Sequence, residues 1–319
     1  MFLKYIKKED GAANFITTSL FVAVFAGAWD AWWHSFLGRE SFWSPPHLLL
    51  YLSTIVTILT ALYAWRKYKT KQWKWLGIVL LLVPLSAPFD ELWHRAFGVE
   101  ELSSVLILWS PPHIVLILSL LGAFVLLLPI LKKNQDIVKQ RFFGSLVLAG
   151  IFSLLSILVV PFAPINSPWN LIGFWGAGVM SFVVVLVLFF ARYYLPSFGR
   201  TTLTAFVILV LVSIGFAEAT SSGVTDVAPH THAPGWLIIL SLLLPAVFLD
   251  IIKQPKKWSA AIAGFISGGV LYGFATFFFE PAFQYGLTET SIALSASFVG
   301  GLLAYFVASF VLKKLSINT

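Results

Sequence analysis

The chain has 319 residues, of which 59% are hydrophobic and only 11% charged, with a formal net charge of +7. A soluble domain carries about a quarter charged residues, so the composition excludes a soluble enzyme and predicts a protein that lies in a bilayer along its whole length. Cysteine is absent and methionine occurs twice, which excludes a disulfide framework, an iron–sulfur cluster and thiolate ligation, and argues against a thioether path for Cu(I).

A membrane span needs about 20 mainly apolar residues, and the chain offers ten such segments. The first, at 14–37, contains Asp30 and lacks a small-residue cleavage site, so it reads as a retained span and not a signal peptide. It pairs with 46–65 in a first hairpin (14–65), and 75–97 pairs with 112–131 in a second (75–131). Six further spans fill 142–312, at 142–162, 169–191, 202–220, 234–252, 258–279 and 291–312. The predicted fold is an all-α polytopic membrane helical bundle, a single membrane domain over 1–319 with an internal hairpin repeat.

Charge orients the bundle. If the N-terminus is inside, all of the 21 basic residues except Arg39 and Arg95 fall on the inner side. This is the positive-inside pattern, so the basic surplus is a topology signal, and no nucleic-acid partner is expected. Of the 14 acidic residues only Glu9, Asp10, Asp136 and Asp250 fall inside. The rest lie on the outer half with all six histidines. Trp65, Trp73, Trp75 and Trp258 suit an inner aromatic belt, and Trp29, Trp32, Trp33, Trp43, Trp93, Trp109, Trp169, Trp175 and Trp236 an outer one. The expectation is a multi-pass protein of the cell membrane with both termini cytoplasmic and its chemistry on the outer face.

That chemistry is duplicated. The first hairpin reads WDAWWHSFLGRESFWSPPH and the second FDELWHRAFGVEELSSVLILWSPPH. Both give Asp-x-x-Trp-His-x-x-x-Gly-x-Glu followed by Trp-Ser-Pro-Pro-His, pairing Asp30 with Asp90, Trp33 with Trp93, His34 with His94, Gly38 with Gly98, Glu40 with Glu100, Trp43 with Trp109 and His47 with His113. The second copy has six more loop residues. Parallel repeats of this kind place binding sites at repeat interfaces. A fainter third copy, Glu218 with the Ala-Pro-Gly-Trp of 233–236, has Gly235 where the histidine would be.

Aspartate and the first histidine are four residues apart and share a helix face. Gly38 suits the helix stop, which leaves Asp30 roughly 12 Å below the helix end at 1.5 Å per residue. A carboxylate at such depth is expensive without a partner or a task. Ser44 is placed to cap the next helix, with Pro45 in its first turn, and His47 leans back toward the loop. Each hairpin thus directs one carboxylate and two imidazoles at one region. Asp30, His34, His47, Asp90, His94 and His113 are the candidate metal ligands, a donor set suited to Cu, Zn or Fe(II). The competing reading is structural, with each Asp orienting an interfacial His. Glu40 and Glu100 read as loop charges or outer partners of the ligands. Asp226, His230 and His232 read as a solvated loop, with a lid or an extra ligand as the alternative, and Glu280 and Glu289 read as helix-end residues.

Asp30, His34 and His47, flanked by Arg39-Glu40, Phe42 and Ser44-Pro45, resemble the C subunit of the copper membrane monooxygenases, the particulate methane and ammonia monooxygenase family. That subunit carries Asp-x-x-x-His and a second His thirteen residues later, within a stretch like Arg-Asp-x-x-Phe-Thr-Pro-x-His. The resemblance covers about twenty residues and implies copper at Asp30, His34 and His47. It also implies partner membrane subunits and oxygen activation on a small or lipophilic substrate. The second copy departs from it, with a longer spacing and Val99 in place of the Arg, and so do ten spans with an internal repeat.

The function expected is therefore an integral-membrane metal-binding redox protein or monooxygenase-like subunit, a copper-dependent membrane oxidoreductase if it is an enzyme. Other membrane subunits or further copies of the chain are the expected partners, besides the lipid bilayer. The alternatives are an electron-transfer subunit with two haems b on the four hairpin histidines, a transporter or structural membrane subunit, and a zinc hydrolase. Against transport, no span has paired carboxylates at its middle.

Overall fold

Apolar runs with no water to satisfy their backbone must close their hydrogen bonds internally, and the chain does so with helices alone among the described residues. The structure is a computed structural model, and it describes residues 6, 8–36, 43–98, 109–133, 136–159, 162, 173–196, 198–221, 235–273 and 286–317. Ten α-helices follow in order: α1 Glu9–Phe36, α2 Pro45–Tyr68, α3 Lys71–Phe97, α4 Pro111–Leu131, α5 Ile137–Val159, α6 Gly176–Tyr194, α7 Arg200–Ser221, α8 Gly235–Ile251, α9 Lys257–Gly268 and α10 Leu287–Ile317. A 3₁₀ turn, Gly173–Trp175, leads into α6, and a π-helical turn, Gly269–Gly273, continues α9. Each expected span has its helix, and α1 to α6 and α10 are long and apolar enough to cross a membrane. The protein is a multi-pass helical membrane bundle.

The described residues form two compact units, with the boundary inside α5 between Leu154 and Leu155. In the first, α1 packs on α2, α2 on α3, α3 on α4 and α4 back on α1. Both motif hairpins belong to this unit. Each of its helices buries one stripe. In α1 the stripe runs through Ala12, Ala13, Ile16, Leu20, Ala23 and Ala26, and its next position, four residues on, is Asp30. In α3 it runs through Trp73, Leu76, Leu80 and Val83 to the buried Ser86, and continues at Asp90 and His94. His47 heads the stripe of α2, followed by Leu50, Thr54, Ile58, Ala61 and Ala64. In α4 the stripe runs through Ile117, Leu120, Phe124, Leu127 and Leu131, and the partly exposed His113 precedes it by one turn. Helical period alone therefore turns the motif residues toward the neighbouring helices.

The opposite end of this unit is pinned by Trp73, which is fully buried and donates its indole N–H to Glu9 Oε1 at 2.8 Å. Pro84 and Pro88 interrupt α3 below the motif. They remove two backbone donors, a loss that membrane helices tolerate through local adjustment.

The second unit is built on close backbone approach. α10 packs on α6 and on α9, and α9 also touches α6 and α8. A Cβ on Gly178 would stand 2.6 Å from the Ala296 carbonyl oxygen, and one on Gly264 would stand 2.9 Å from Gly301 Cα. Small residues at helix crossings replace the hydrophobic drive that lipid does not supply. Asp250, at the end of α8, is 4% exposed. It accepts from the Thr202 amide at 2.9 Å and the Thr202 hydroxyl at 2.8 Å, and it capped the start of α7 further through the Thr201 amide at 3.3 Å. Arg192 lies 3.7 Å from the same carboxylate and donates to the carbonyls of Ile252 and Lys253. The buried charge is thus both paired and hydrogen-bonded, as it must be.

Candidate metal centre

The second hairpin brings three candidate ligands to one point. Asp90 and His94 lie one turn apart on α3, and His113 comes from the first turn of α4. Asp90 Oδ1 stands 3.2 Å from His94 Nε2 and 3.3 Å from His113 Nε2. The two imidazole rings are 6.1 Å apart, centre to centre. One donor atom from each of the three residues lies within 4.8 Å of the others, and the group could hold a metal ion. Two N or O ligands about 2.0–2.1 Å from a common ion at the tetrahedral angle stand about 3.3 Å apart. The observed O–N separations fit that spacing.

A backbone contact sets the tautomer. His94 Nδ1 lies 3.2 Å from the Gly98 carbonyl oxygen. That oxygen can only accept, so Nδ1 carries a proton. In neutral imidazole the other nitrogen then presents a lone pair, and here it faces a carboxylate oxygen. Two electron-rich atoms at this range need either a shared proton or a metal ion between them. The Nδ1–carbonyl bond is also the usual outer support of a metal-bound histidine. Gly98 can offer its carbonyl this way because it ends α3 at φ 82° and ψ 174°, a region essentially reserved for glycine. Sequence reasoning marked Gly38, the counterpart of Gly98 in the first copy, as a helix stop and missed this second task at Gly98.

In the first hairpin, Asp30 Oδ1 stands 3.1 Å from His47 Nε2 across the α1–α2 contact. His47 is buried, and its ring lies 5.9 Å from the Tyr51 ring, which in turn meets Trp43 edge to face at 6.4 Å. His34 occupies α1 one turn beyond Asp30, on the same face by register, and its side chain lies outside the described residues. So do Glu40, Glu100, Asp226, His230, His232 and Glu280. Glu289 lies in the first turn of α10, as a helix-end residue should. Which of the two copies is the stronger site turns on His34 and therefore falls outside what the structure describes. Among the described residues the complete three-residue group is that of the second copy.

Ser44 and Ser110 stand at the N-cap positions of α2 and α4, as expected. Neither makes the expected capping bond. The reason is local. Both helices begin Pro-Pro, which offers no N–H in the first two positions, so only the histidine amide remains for the hydroxyl to reach.

No protein family, curated protein or solved structure matches this chain.

Proposed function

We propose that this chain is an integral-membrane metalloprotein that binds a divalent ion at Asp90, His94 and His113, with Asp30, His34 and His47 as the equivalent site of the first hairpin. The observation that carries the reading is the geometry around His94. Its Nε2 faces Asp90 Oδ1 at 3.2 Å while Nδ1 points at the Gly98 carbonyl, and a second imidazole converges on the same oxygen. A single proton could satisfy one Asp–His pair. Two imidazoles on one carboxylate oxygen suit an ion with several coordination positions better.

Two imidazoles and a carboxylate accept Cu, Zn or Fe(II). Copper is our assignment, on the resemblance of Asp30, His34 and His47 to the copper membrane monooxygenases. On that assignment the chain is a redox protein or a monooxygenase-like subunit with its site toward the outer side of the membrane, acting on a small or lipophilic substrate and working with other membrane subunits or further copies of itself. Bound copper would supply one-electron redox chemistry and oxygen activation. The chain's own part is to orient the ligands, through the Gly98 carbonyl and the helix faces, and to leave coordination positions open.

A haem b held between His94 and His113 is disfavoured by the same distances. A haem held by two histidines needs its porphyrin between the rings, where Asp90 Oδ1 stands about equally close to both Nε2 atoms. Elemental analysis and an optical spectrum of detergent-purified protein test the proposal. Stoichiometric copper, reduced by about half or more in both His94→Ala and His113→Ala, is expected. A Soret band scaling with protein, or unchanged metal content in both variants and in His34→Ala and His47→Ala, would overturn it. Stoichiometric zinc with no copper would support a hydrolase instead.

A further inference from the structure

Ser44 and Ser110 occupy the same place in the two repeats, three residues before His47 and His113. Each serine is the N-cap of the helix whose third residue is its histidine, and an N-cap side chain is directed toward the second and third residues of its helix, so each hydroxyl sits beside the turn that carries the histidine. Ser110 is fully buried and Ser44 is 5% exposed. Neither hydroxyl makes a hydrogen bond within the protein. A buried hydroxyl left unsatisfied costs on the order of 1–3 kcal/mol, and here the cost recurs at both copies. Most other buried serines and threonines of the first unit bond back to a helical carbonyl, as Thr54, Thr57, Ser86 and Ser119 do. A residue at the N-cap has no preceding turn of its own helix to bond back to, and the Pro-Pro start withdraws the first amides. Each hydroxyl is thus buried with no hydrogen-bond partner in the chain.

We propose that the Ser44 and Ser110 hydroxyls hold a small oxygen- or nitrogen-donor ligand, a water or an anion of azide size, in the coordination position that the Asp–His–His group leaves open. This rests on the metal reading above. Three protein ligands leave a tetrahedral ion one position, and the serine both fixes what enters it and recovers its own lost hydrogen bond. The serines are positioning residues and are not metal ligands.

The test uses copper-loaded, detergent-purified full-length protein with azide as the probe, followed by optical titration and electron paramagnetic resonance. Ser44→Ala together with Ser110→Ala should keep copper stoichiometry and weaken azide binding about tenfold, the worth of one hydrogen bond to a charged ligand. Ser44→Thr with Ser110→Thr should restore it. Copper retained with azide affinity unchanged in the alanine variant would overturn the inference and leave the metal reading standing. Loss of copper from the alanine variant but not the threonine variant would also overturn it, in favour of a purely structural cap. A wild-type protein that binds no metal would overturn both.

Discussion

At the scale of single residues, the proposed centre would depend as much on one carbonyl as on the three candidate ligands. Gly98 holds φ 82° and ψ 174°, and a Cβ added there would meet no neighbour within 4 Å. Any effect of Gly98→Ala therefore comes from backbone strain, about 1–3 kcal/mol, and not from a clash. Relieving that strain would swing the carbonyl away from His94 Nδ1 and free the ring to turn. The expected outcome is metal affinity lowered about tenfold, within the range for loss of an outer partner of a metal ligand, with the protein still folded. Competition against a chelator measures it, and wild-type affinity in the alanine variant would show that the Gly98 contact is not supporting the site. Part of this was legible in the sequence. The four-residue spacing put Asp90 and His94 on one face, and duplication of the motif pointed to His113. The bond from His94 to the Gly98 carbonyl was not legible, because it depends on the conformation of the residue that ends the helix and not on any side chain.

At the scale of elements, the sequence located all ten helices because each needs a long apolar run to satisfy its backbone in lipid. It placed their ends less well. α1 starts at Glu9 and not at residue 14, since Glu9 has the buried Trp73 indole as a partner 64 residues away. Likewise Asp250 was placed on the inner side without a role, and its bonds to Thr201, Thr202 and Arg192 cross 48 to 58 positions of chain that local pattern cannot see. The π turn that continues α9 left no readable signal either. The packing of α9 on α10 gives a direct test. Gly264 faces the Ser297 carbonyl and the Gly301 backbone, with no flexible side chain to give way. Gly264→Val should destabilise the second unit by about 1–3 kcal/mol, the usual cost of overpacking. Gly27, inside α1, has open space around its Cβ position, so Gly27→Ala should be neutral or stabilise by about 0.5–1 kcal/mol. Thermal unfolding in detergent compares the two, and equal melting temperatures would contradict tight α9–α10 packing.

At the scale of the whole molecule, orientation decides which compartment would reach the proposed metal site. Asp30, His47, Asp90, His94 and His113 all lie toward the same ends of α1 to α4, and the described basic residues of these helices other than Arg95 lie toward the others, among them Arg66 and Lys67 in the last turn of α2, Lys71 and Lys74 at the start of α3, and Lys132 and Lys133 after α4. Translocating these charges is costly and their retention on the cytoplasmic side is the general rule, so we propose that both termini lie inside and the candidate metal group outside. The chain has no cysteine, which makes single introduced thiols unambiguous reporters. Thr70→Cys, at the N-cap of α3, should be protected from an impermeant thiol reagent in intact cells and react only after permeabilisation. Thr225→Cys, between α7 and α8 in the sequence, should react without it. The opposite pattern would invert the topology and turn the Asp90–His94–His113 group toward the cytoplasm. Metal supply and any electron donor would then have to be sought on that side, while the ligand geometry would stand as described.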